Sequence, residues 1–161
     1  ACDLQEEDGS WIYGLLPVQS WKDSFHTGFN LDAIETYQQN TKDISFQSYI
    51  DKGLVYYLEN FFEENGMPKY YHNKTYPIDI HCPAQVIVTL SKLQVFKENE
   101  ALLSKVLDWT LMHMQHEKGY FYYQLKKGIS SKIPYMRWSN AFMFNAMAHY
   151  LLEIKLTSHG S

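Results

Sequence analysis

Apolar side chains recur every three or four residues along five stretches of this chain, the spacing that places them on one face of an α-helix. In the clearest stretch, 43–63, the apolar stripe consists of Ile50, Leu54, Tyr57, Leu58 and Phe61. Gly66 is predicted to end this helix as its C-cap. The last stretch, 138–155, is apolar on most of its sides, which indicates that more than one neighbouring element buries it. The other four predicted helices are 27–39, 83–95, 98–115 and 138–155.

The loops between these helices carry a repeated signal. Three times along the chain a glycine is followed four positions later by a tyrosine, in the pairs Gly9 and Tyr13, Gly66 and Tyr70, and Gly119 and Tyr123. The glycines are 57 and then 53 residues apart, a period typical of repeat proteins. A unit of this size with two helices buries both faces only by stacking on its neighbours, as a solenoid or as a ring.

The helices and the repeat together predict an all-α protein built from helical hairpins, in the order inner helix, outer helix, aromatic loop. Short extended pieces in the loops, such as 120–124, are predicted to pair as small β-hairpins. We expect residues 1–161 to form a single domain. The loop that leads into an inner helix occupies the same position in every repeat. We therefore expect the polar side chains of these loops to lie close together at one end of the helix array, on one rim.

Composition narrows the classes of partner and compartment. The net charge is −4 without a basic run, which argues against nucleic acid because phosphate binding requires clustered Lys and Arg. Cys2 and Cys82 form neither a disulfide framework nor a CxxC metal motif, so we expect a reducing, cytoplasmic compartment. No apolar run reaches the roughly 20 residues of a membrane span. The chain lacks P-loop, GxGxxG and GxSxG motifs, and no cofactor is predicted.

The strongest candidate chemistry lies just before the third predicted helix. Asp79 and His81 stand two positions apart, and a carboxylate beside an imidazole orients the ring for proton transfer near neutral pH. His26 stands at the matching place in the first repeat and completes the predicted catalytic set. The alternatives are that Asp79 caps the helix and that the histidines are satisfied core residues. Glycoside cleavage by paired carboxylates would need a second acid facing Asp79, and Asp23 and Asp32 are both candidates.

Binding residues are predicted in the loops and at the helix starts. Arg137 can hold a sugar carboxylate or phosphate by two parallel hydrogen bonds, and Trp138 with Tyr135 can form a stacking platform. Gln85, one turn into the third helix, is predicted to line the same polar cavity. The alternatives are a structural ion pair for Arg137 and plain packing for the aromatic residues. The predicted binding set also includes Trp11, Tyr13 and Tyr71.

A metal site is not predicted. His113 and His116 have a spacing that can hold a metal ion. However, no third ligand is near them in the sequence, and the helix dipole by itself favours histidine at a C-terminal end.

Five motifs occur in one order along the chain: Gly9-Ser10-Trp11-Ile12-Tyr13-Gly14, Phe25-His26-Thr27-Gly28-Phe29, Lys69-Tyr70-Tyr71, Tyr76-Pro77-Ile78-Asp79-Ile80-His81 and Pro134-Tyr135-Met136-Arg137-Trp138. In this order they resemble the six-hairpin glycosidase superfamily, and more narrowly the toroid proteins encoded with bacterial exopolysaccharide biosynthesis. The resemblance covers about residues 8–155. It implies an (α/α)6 toroid with a site on the rim where inner helices begin. Since a full ring has six hairpins and this chain supplies about three, it implies the C-terminal half of a larger toroid or a ring closed by self-association.

The same resemblance implies a carbohydrate-active protein, a hydrolase, lyase or epimerase that acts on a polysaccharide or its precursor. In that interpretation His26 or His81 is the acid and base, Asp79 orients it, and Arg137 binds the acid group of the sugar. The alternative is a non-catalytic glycan-binding or polysaccharide-assembly module. A third alternative, a scaffold for a partner protein, would be indicated by wide apolar faces on the terminal helices. A cleft in which Asp79 touches His81 or His26 favours the enzyme.

Overall fold

The computed structural model describes the backbone of residues 1–159 and the side-chain exposure of residues 1–156. Its α-helices are α1 (Ser24–Thr41), α2 (Gln47–Asn60), α3 (His81–Lys92), α4 (Glu100–Met114) and α5 (Ala141–His159). Two short strands, β1 (Ile78–Asp79) and β2 (Gln124–Leu125), pair antiparallel with Asp79 opposite Gln124. The prediction of a mostly helical, all-α chain is confirmed. No helix within residues 1–159 has both the length and the apolar character needed to cross a membrane.

Helix α3 is the centre of the packing. It contacts α1 on one side and α5 on another, while α2 packs on α1 and α4 packs on α3. Every residue of α3 from Cys82 to Leu90 is buried, and Val86 and Ile87 are completely inaccessible to solvent. Because burying one such side chain contributes roughly 1.5–3 kcal/mol, α3 supplies a large share of the stabilisation of the core.

Helix α1 begins where its sequence provides a cap. Asp23 has extended backbone and its carboxylate accepts the amide N–H of His26 at 2.8 Å, which satisfies one of the free donors of the first turn. The helix ends at Thr41, and the residue that follows, Lys42, caps it with a left-handed φ of 63°. The observed helix is therefore longer at both ends than the predicted 27–39.

Helix α2 is shorter than the predicted 43–63. The carboxylate of Asp43 accepts the N–H of Ser45 at 3.0 Å, a local turn that competes with helix formation, and the helix begins only at Gln47. It ends at Asn60, so the prediction that Gly66 is its C-cap is wrong. Gly66 belongs instead to the turn that follows the helix.

The Gly-to-Tyr repeat corresponds to three turns of one geometry. Gly9, Gly66 and Gly119 have φ of 88°, 86° and 90°, the left-handed region that glycine adopts at low cost. In each turn the glycine N–H donates to the carbonyl three residues earlier, at 2.8–3.0 Å. An antiparallel bridge also joins the residue four before each glycine to the residue two after it, in the pairs Gln5 and Trp11, Phe62 and Pro68, and Gln115 and Phe121.

The loops after α2 and α4 return to the starts of α1 and α3. The carbonyl of Tyr70 accepts the N–H of Ser24 at 2.9 Å, and the carbonyl of Tyr123 accepts the N–H of Ile80 at 3.1 Å. These two tyrosines hold equivalent positions in the repeat. Each loop is therefore tied by its backbone to the start of a helix, and its aromatic side chains lie next to that helix N-terminus.

The last helix begins with an irregular turn. Met136–Asn140 form a π-helical segment directly before α5, and Trp138, the predicted first residue of the helix, lies inside this segment. A π-helical turn has wider hydrogen-bonded rings than an α-helix and is frequent at functional sites. Trp138 is consequently presented at the start of α5 with 53% of its surface exposed.

Candidate functional site

A cleft of about 370 Å³ opens where the N-termini of α1, α3 and α5 meet. We call it the N-terminal cleft. Four predicted site residues line it, so the structure brings together the three residues selected as catalytic and one of those selected for binding. The described residues that line it are Phe25, His26, Tyr70, Asp79, His81, Tyr123, Trp138 and Phe142.

Asp79 and His81 form a hydrogen-bonded pair in this cleft. Nδ1 of His81 lies 2.6 Å from Oδ1 of Asp79, and Nε2 of Gln124 donates to Oδ2 of Asp79 at 2.9 Å. The side chain of Asp79 is only 4% exposed and that of His81 is 14% exposed. Because a carboxylate accepts, the hydrogen of the neutral imidazole lies on Nδ1, which leaves the lone pair of Nε2 available to a ligand.

Asp79 also organises the start of α3. Its Oδ1 accepts the amide N–H of His81 at 3.0 Å, in the manner of a capping carboxylate. Both interpretations of Asp79 that the sequence left open therefore describe contacts that are present. Helix capping requires only the hydrogen bond from the backbone N–H of His81. The second hydrogen bond, from Nδ1 of the same residue, also fixes the orientation of the imidazole ring.

A second pair of the same kind lies at the start of α1. Nδ1 of His26 lies 2.9 and 3.0 Å from the two carboxylate oxygens of Asp23, and Nε1 of Trp21 donates to Oδ2 of Asp23 at 3.1 Å. The Asp23 side chain is fully buried, whereas that of His26 is 44% exposed. His26 was predicted from the sequence but this role of Asp23 was not. The available signal was an Asp directly before a helix and three residues before a His.

Among the described residues that line the cleft, Asp79 is the only one with a carboxylate. Asp23 is fully buried, and Asp32 lies between α1 and α3, where Gln85 and Lys92 donate to its Oδ2 at 3.1 and 2.9 Å. Neither candidate for a second acid therefore lines the cleft opposite Asp79. The paired carboxylates of a typical glycoside hydrolase are not present among the lining residues.

Aromatic rings from two helices surround the imidazoles. Phe142 of α5 meets the ring of His81 edge to face, with 4.6 Å between centroids. Phe25 of α1 contacts both imidazoles, at 5.1 Å from His81 and 5.6 Å from His26. Neither Phe25 nor Phe142 was predicted to line the site. Phe142 falls within a predicted helix, where apolar residues are expected to face the core, and Phe25 lies just before the predicted start of another.

Two tyrosines of the repeat complete the lining as neutral donors. Burial raises the pKa of the Tyr70 phenol, and the nearby charge of Asp23 raises it further. Burial also raises the pKa of Tyr123, with a further contribution from Asp79. Both phenols therefore stay protonated at neutral pH. The imidazoles, each with Nδ1 held by a carboxylate and a lone pair on Nε2, are the proton acceptors that the lining offers.

Trp11 and Gln85, two of the predicted binding residues, do not line the cleft. Trp11 is buried in the core with its ring against Gly53. Gln85 is buried between α1 and α3, where its Nε2 donates to Asp32 at 3.1 Å and to Thr89 at 3.0 Å. The contacts of both residues are those of the protein interior.

Tyr13 and Tyr71, also predicted to bind, lie beside the cleft. Tyr13 stacks on Trp21 with 4.6 Å between ring centroids, and it meets His26 edge to face at 4.7 Å. Tyr71 meets Trp21 edge to face at 6.5 Å. Tyr13 is exposed, so it extends the aromatic surface outward from His26.

Arg137 and Tyr135 lie beyond Trp138. These three residues and Met136 line a second hollow of about 370 Å³, and Trp138 lines both hollows. Arg137 is exposed and forms no ion pair with the side chains of residues 1–156. A structural ion pair, the alternative for Arg137, is therefore not formed in this part of the chain, and the guanidinium is accessible next to the exposed indole.

The two histidines considered for a metal lie outside the cleft lining. His113 packs on Trp109 with 4.5 Å between ring centroids, and His116 stacks on Tyr120 at 4.5 Å. Among the residues that the structure describes, no group of three or more His, Cys, Asp or Glu side chains is placed to hold a metal ion.

Burial also limits the chemistry of the one cysteine near the cleft. Cys82 follows His81 and is a free, fully buried thiol. Burial raises its pKa well above the usual value, and the charge of Asp79 adds to this effect. The thiol is consequently neutral and unreactive at pH 7.

The N-terminal cleft thus contains two imidazoles, each oriented by a hydrogen bond between its Nδ1 and an aspartate, together with neutral phenols and aromatic faces. Such a set can hold a ligand that has both apolar and polar edges, and it can move a proton on that ligand.

Comparison of this chain with models of known protein families, with curated proteins and with solved structures finds no match.

Proposed function

We propose that this protein is a carbohydrate-active enzyme that binds an acidic sugar in the N-terminal cleft and moves a proton on it, as a lyase or an epimerase does. The observation that carries the proposal is the Asp79–His81 pair, held at 2.6 Å in a cleft lined by aromatic rings. Hydrolysis by paired acids is less well supported, because Asp79 has no second carboxylate beside it among the described lining residues.

The aromatic lining supports a sugar as the ligand. A pyranose ring has an apolar face of C–H groups and an edge of hydroxyls, so it packs on an aromatic face while it hydrogen-bonds around its rim. Trp138 and Tyr123 lie 6.0 Å apart between ring centroids and provide such faces. The neutral phenols of Tyr70 and Tyr123 can donate to sugar hydroxyls or ring oxygens.

The Asp79–His81 pair supports proton abstraction. The carbon beside a carboxylate is the acidic position of a uronic sugar, and removing its proton requires a base with a pKa near the working pH. Nε2 of His81 is placed in the cleft to act as this base, because Asp79 holds Nδ1 and leaves the Nε2 lone pair free. Asp79 fixes the tautomer through Nδ1 and stabilises the imidazolium that forms once the proton has been taken.

Arg137 supports an acidic rather than a neutral sugar. Its guanidinium is exposed beside Trp138, in the hollow that adjoins the cleft. An Arg binds a carboxylate with two parallel hydrogen bonds. A sugar stacked on Trp138 could therefore present its own carboxylate, or that of the neighbouring sugar in the polymer, to Arg137.

A non-catalytic glycan-binding module is the second candidate. It is supported by the exposure of two aromatic side chains, Tyr13 at 46% and Trp138 at 53%. Exposed aromatic faces bind sugars without any need for a titratable pair. The two candidates differ in whether the Asp79–His81 pair is required for more than the fold.

The helical arrangement supports the further proposal that this chain is half of an (α/α) toroid. Helices α1 and α3 are each followed by an outer helix and then by the same glycine turn. Within the described residues, α5 lacks such an outer helix. In a ring the next hairpin would cover its exposed apolar face; in the scaffold alternative a partner protein would do so. That face carries Phe144, Leu151, Leu152 and Leu156.

The proposal includes a cytoplasmic location for this protein. Cys2 and Cys82 are both free, and free thiols fit a reducing compartment.

An activity and binding screen tests the function. The chain is incubated with oligogalacturonate and oligomannuronate, with neutral cello-oligosaccharides as the control. A lyase produces a conjugated double bond seen by ultraviolet absorbance, and an epimerase changes the proton NMR spectrum of the sugar without cleaving the polymer. We expect turnover of at least one acidic series and none of the neutral one.

The variant Trp138→Ala is expected to weaken binding of the acidic oligosaccharide about tenfold, the effect of losing one stacking contact of ~1.4 kcal/mol. Trp109→Ala, which removes an indole that packs on His113 away from the cleft, serves as the control and should bind like the unmodified chain. Binding without turnover would select the non-catalytic module. The absence of both would contradict a carbohydrate function.

A further inference from the structure

The Asp23–His26 pair repeats the Asp79–His81 pair in three dimensions. Asp23 bridges to Tyr71, just as Asp79 pairs with Gln124 in the β1–β2 ladder. Tyr71 and Gln124 hold the same place in the repeat, five residues after Gly66 and Gly119 respectively. The two carboxylates therefore stand at equivalent positions, although the aspartate is three residues before the histidine in one pair and two before it in the other.

Helix capping alone does not explain the contacts of Asp23. Its Oδ1 already accepts the amide N–H of His26 at 2.8 Å, which is all that a cap requires. Both oxygens also lie within 3.0 Å of Nδ1 of His26. The indole N–H of Trp21 donates to Oδ2 of the same carboxylate at 3.1 Å. A buried carboxylate anchored in this way orients the imidazole and directs its Nε2 away from the helix start.

We propose that Asp23 and His26 form a second proton-transfer pair of the same cleft, in which His81 is the base and His26 is the acid. This inference rests on the proposed function. Both imidazoles line the cleft and both contact the ring of Phe25, so one bound sugar can reach both. His26, 44% exposed against 14% for His81, lies nearer to solvent and to an outgoing group.

Elimination from an acidic sugar uses the two groups in turn. Nε2 of His81 removes the proton from the carbon beside the carboxylate, and the electron pair of that C–H bond is first held by the carboxylate as an enolate. In the elimination this pair then forms a carbon–carbon double bond to the next carbon of the ring. The adjacent carbon–oxygen bond breaks, and its electron pair leaves with the oxygen. Nε2–H of His26 gives its proton to that oxygen. His81 then carries one proton more and His26 one fewer, and exchange with water restores both.

Asp23 is a positioning residue in this scheme, because it acts only through His26. In the neutral ring it keeps the hydrogen on Nδ1, and in the protonated ring it stabilises the positive charge that precedes proton donation. An asparagine at this place keeps the size of the side chain. However, its amide can donate to Nδ1 and so select the tautomer with the hydrogen on Nε2.

The first test reads the tautomer directly on the full chain by ¹⁵N NMR of the histidine rings, without any ligand. We expect neutral His26 to carry its hydrogen on Nδ1, and we expect Asp23→Asn to move it to Nε2 while the His81 signals stay unchanged. Asp43→Asn is the matched control, since Asp43 also accepts a backbone N–H but has no histidine partner. A His26 that carries its hydrogen on Nε2 in the unmodified chain would overturn the pairing.

The second test separates acid from base on the oligouronate that the chain turns over. In D₂O the base alone exchanges the proton beside the carboxylate, whereas elimination needs the acid as well. We expect Asp23→Asn and His26→Ala to slow elimination about 100-fold and to leave deuterium uptake within a few-fold of the unmodified chain. Equal losses of both reactions would contradict the acid role. If the unmodified chain shows neither reaction, the proposed function fails, and the tautomer still decides whether Asp23 orients His26.

Discussion

The variant His81→Ala is expected to lower turnover of an acidic oligosaccharide by about 10²–10⁴-fold, the usual contribution of a positioned acid or base. The reason is that Nε2 of His81 is the base of the proposed reaction, and its other nitrogen is fixed by Asp79 at 2.6 Å. Binding should change much less, because the aromatic faces of Trp138 and Tyr123 remain. The measurement is steady-state kinetics, with the loss appearing in kcat rather than in KM.

Two controls keep this result interpretable. The variant His113→Ala removes an imidazole that packs on Trp109 outside the cleft, and it should retain full turnover. Thermal unfolding of His81→Ala is recorded as well, since the imidazole also packs on Phe142. A stable His81→Ala chain with normal turnover would exclude His81 as the base.

The variant Gly66→Ala is expected to lower the free energy of unfolding by about 3 kcal/mol, against about 1 kcal/mol for Gly119→Ala. Both glycines have left-handed backbone, with φ of 86° and 90°, and that conformation costs an alanine about 1 kcal/mol. Their surroundings differ. A Cβ at Gly66 would collide with the backbone carbonyl of Lys105, whereas a Cβ at Gly119 meets nothing within 4 Å. The collision adds the roughly 2 kcal/mol of an overpacked site.

Urea unfolding of the two alanine variants measures this difference. Because the two changes are chemically identical and occur at equivalent turns of the repeat, the effect on the unfolded chain cancels between them. The remaining difference reports how closely the turn at Gly66 packs on α4. Equal stabilities for the two variants would show that the turn does not contact Lys105 in solution.

The helices were predictable because their signals are local. The three-and-four spacing of apolar residues locates all five α-helices, and the recurrence of Gly and Tyr located three turns that share one backbone geometry. Boundaries were less predictable where side chains compete with the helix. Asp43 binds the N–H of Ser45 and delays the start of α2 to Gln47.

The site was only partly predictable, because its remaining members depend on contacts between distant segments. His26, Asp79 and His81 were identifiable from their position before helices. The orienting role of Asp23 was not, because its sequence context reads equally well as an ordinary cap. Gln85 occupies a helical position like those of cleft residues, but it points between α1 and α3 and binds Asp32. The periodicity of a helix does not show whether a polar residue such as Gln85 lines a cleft or is buried between two helices.

NMR mapping of a bound acidic sugar tests the central claim, that the N-terminal cleft is the ligand site, most directly. The chain is titrated with oligogalacturonate and with oligomannuronate while the histidine and tryptophan side-chain signals are followed, and neutral cello-oligosaccharides serve as the reference. The prediction is that the signals of His26, His81 and Trp138 shift together along one saturating curve, while those of His113 and Trp109 stay in place. Shifts confined to His113 and Trp109, or none at any acidic sugar concentration, would contradict it.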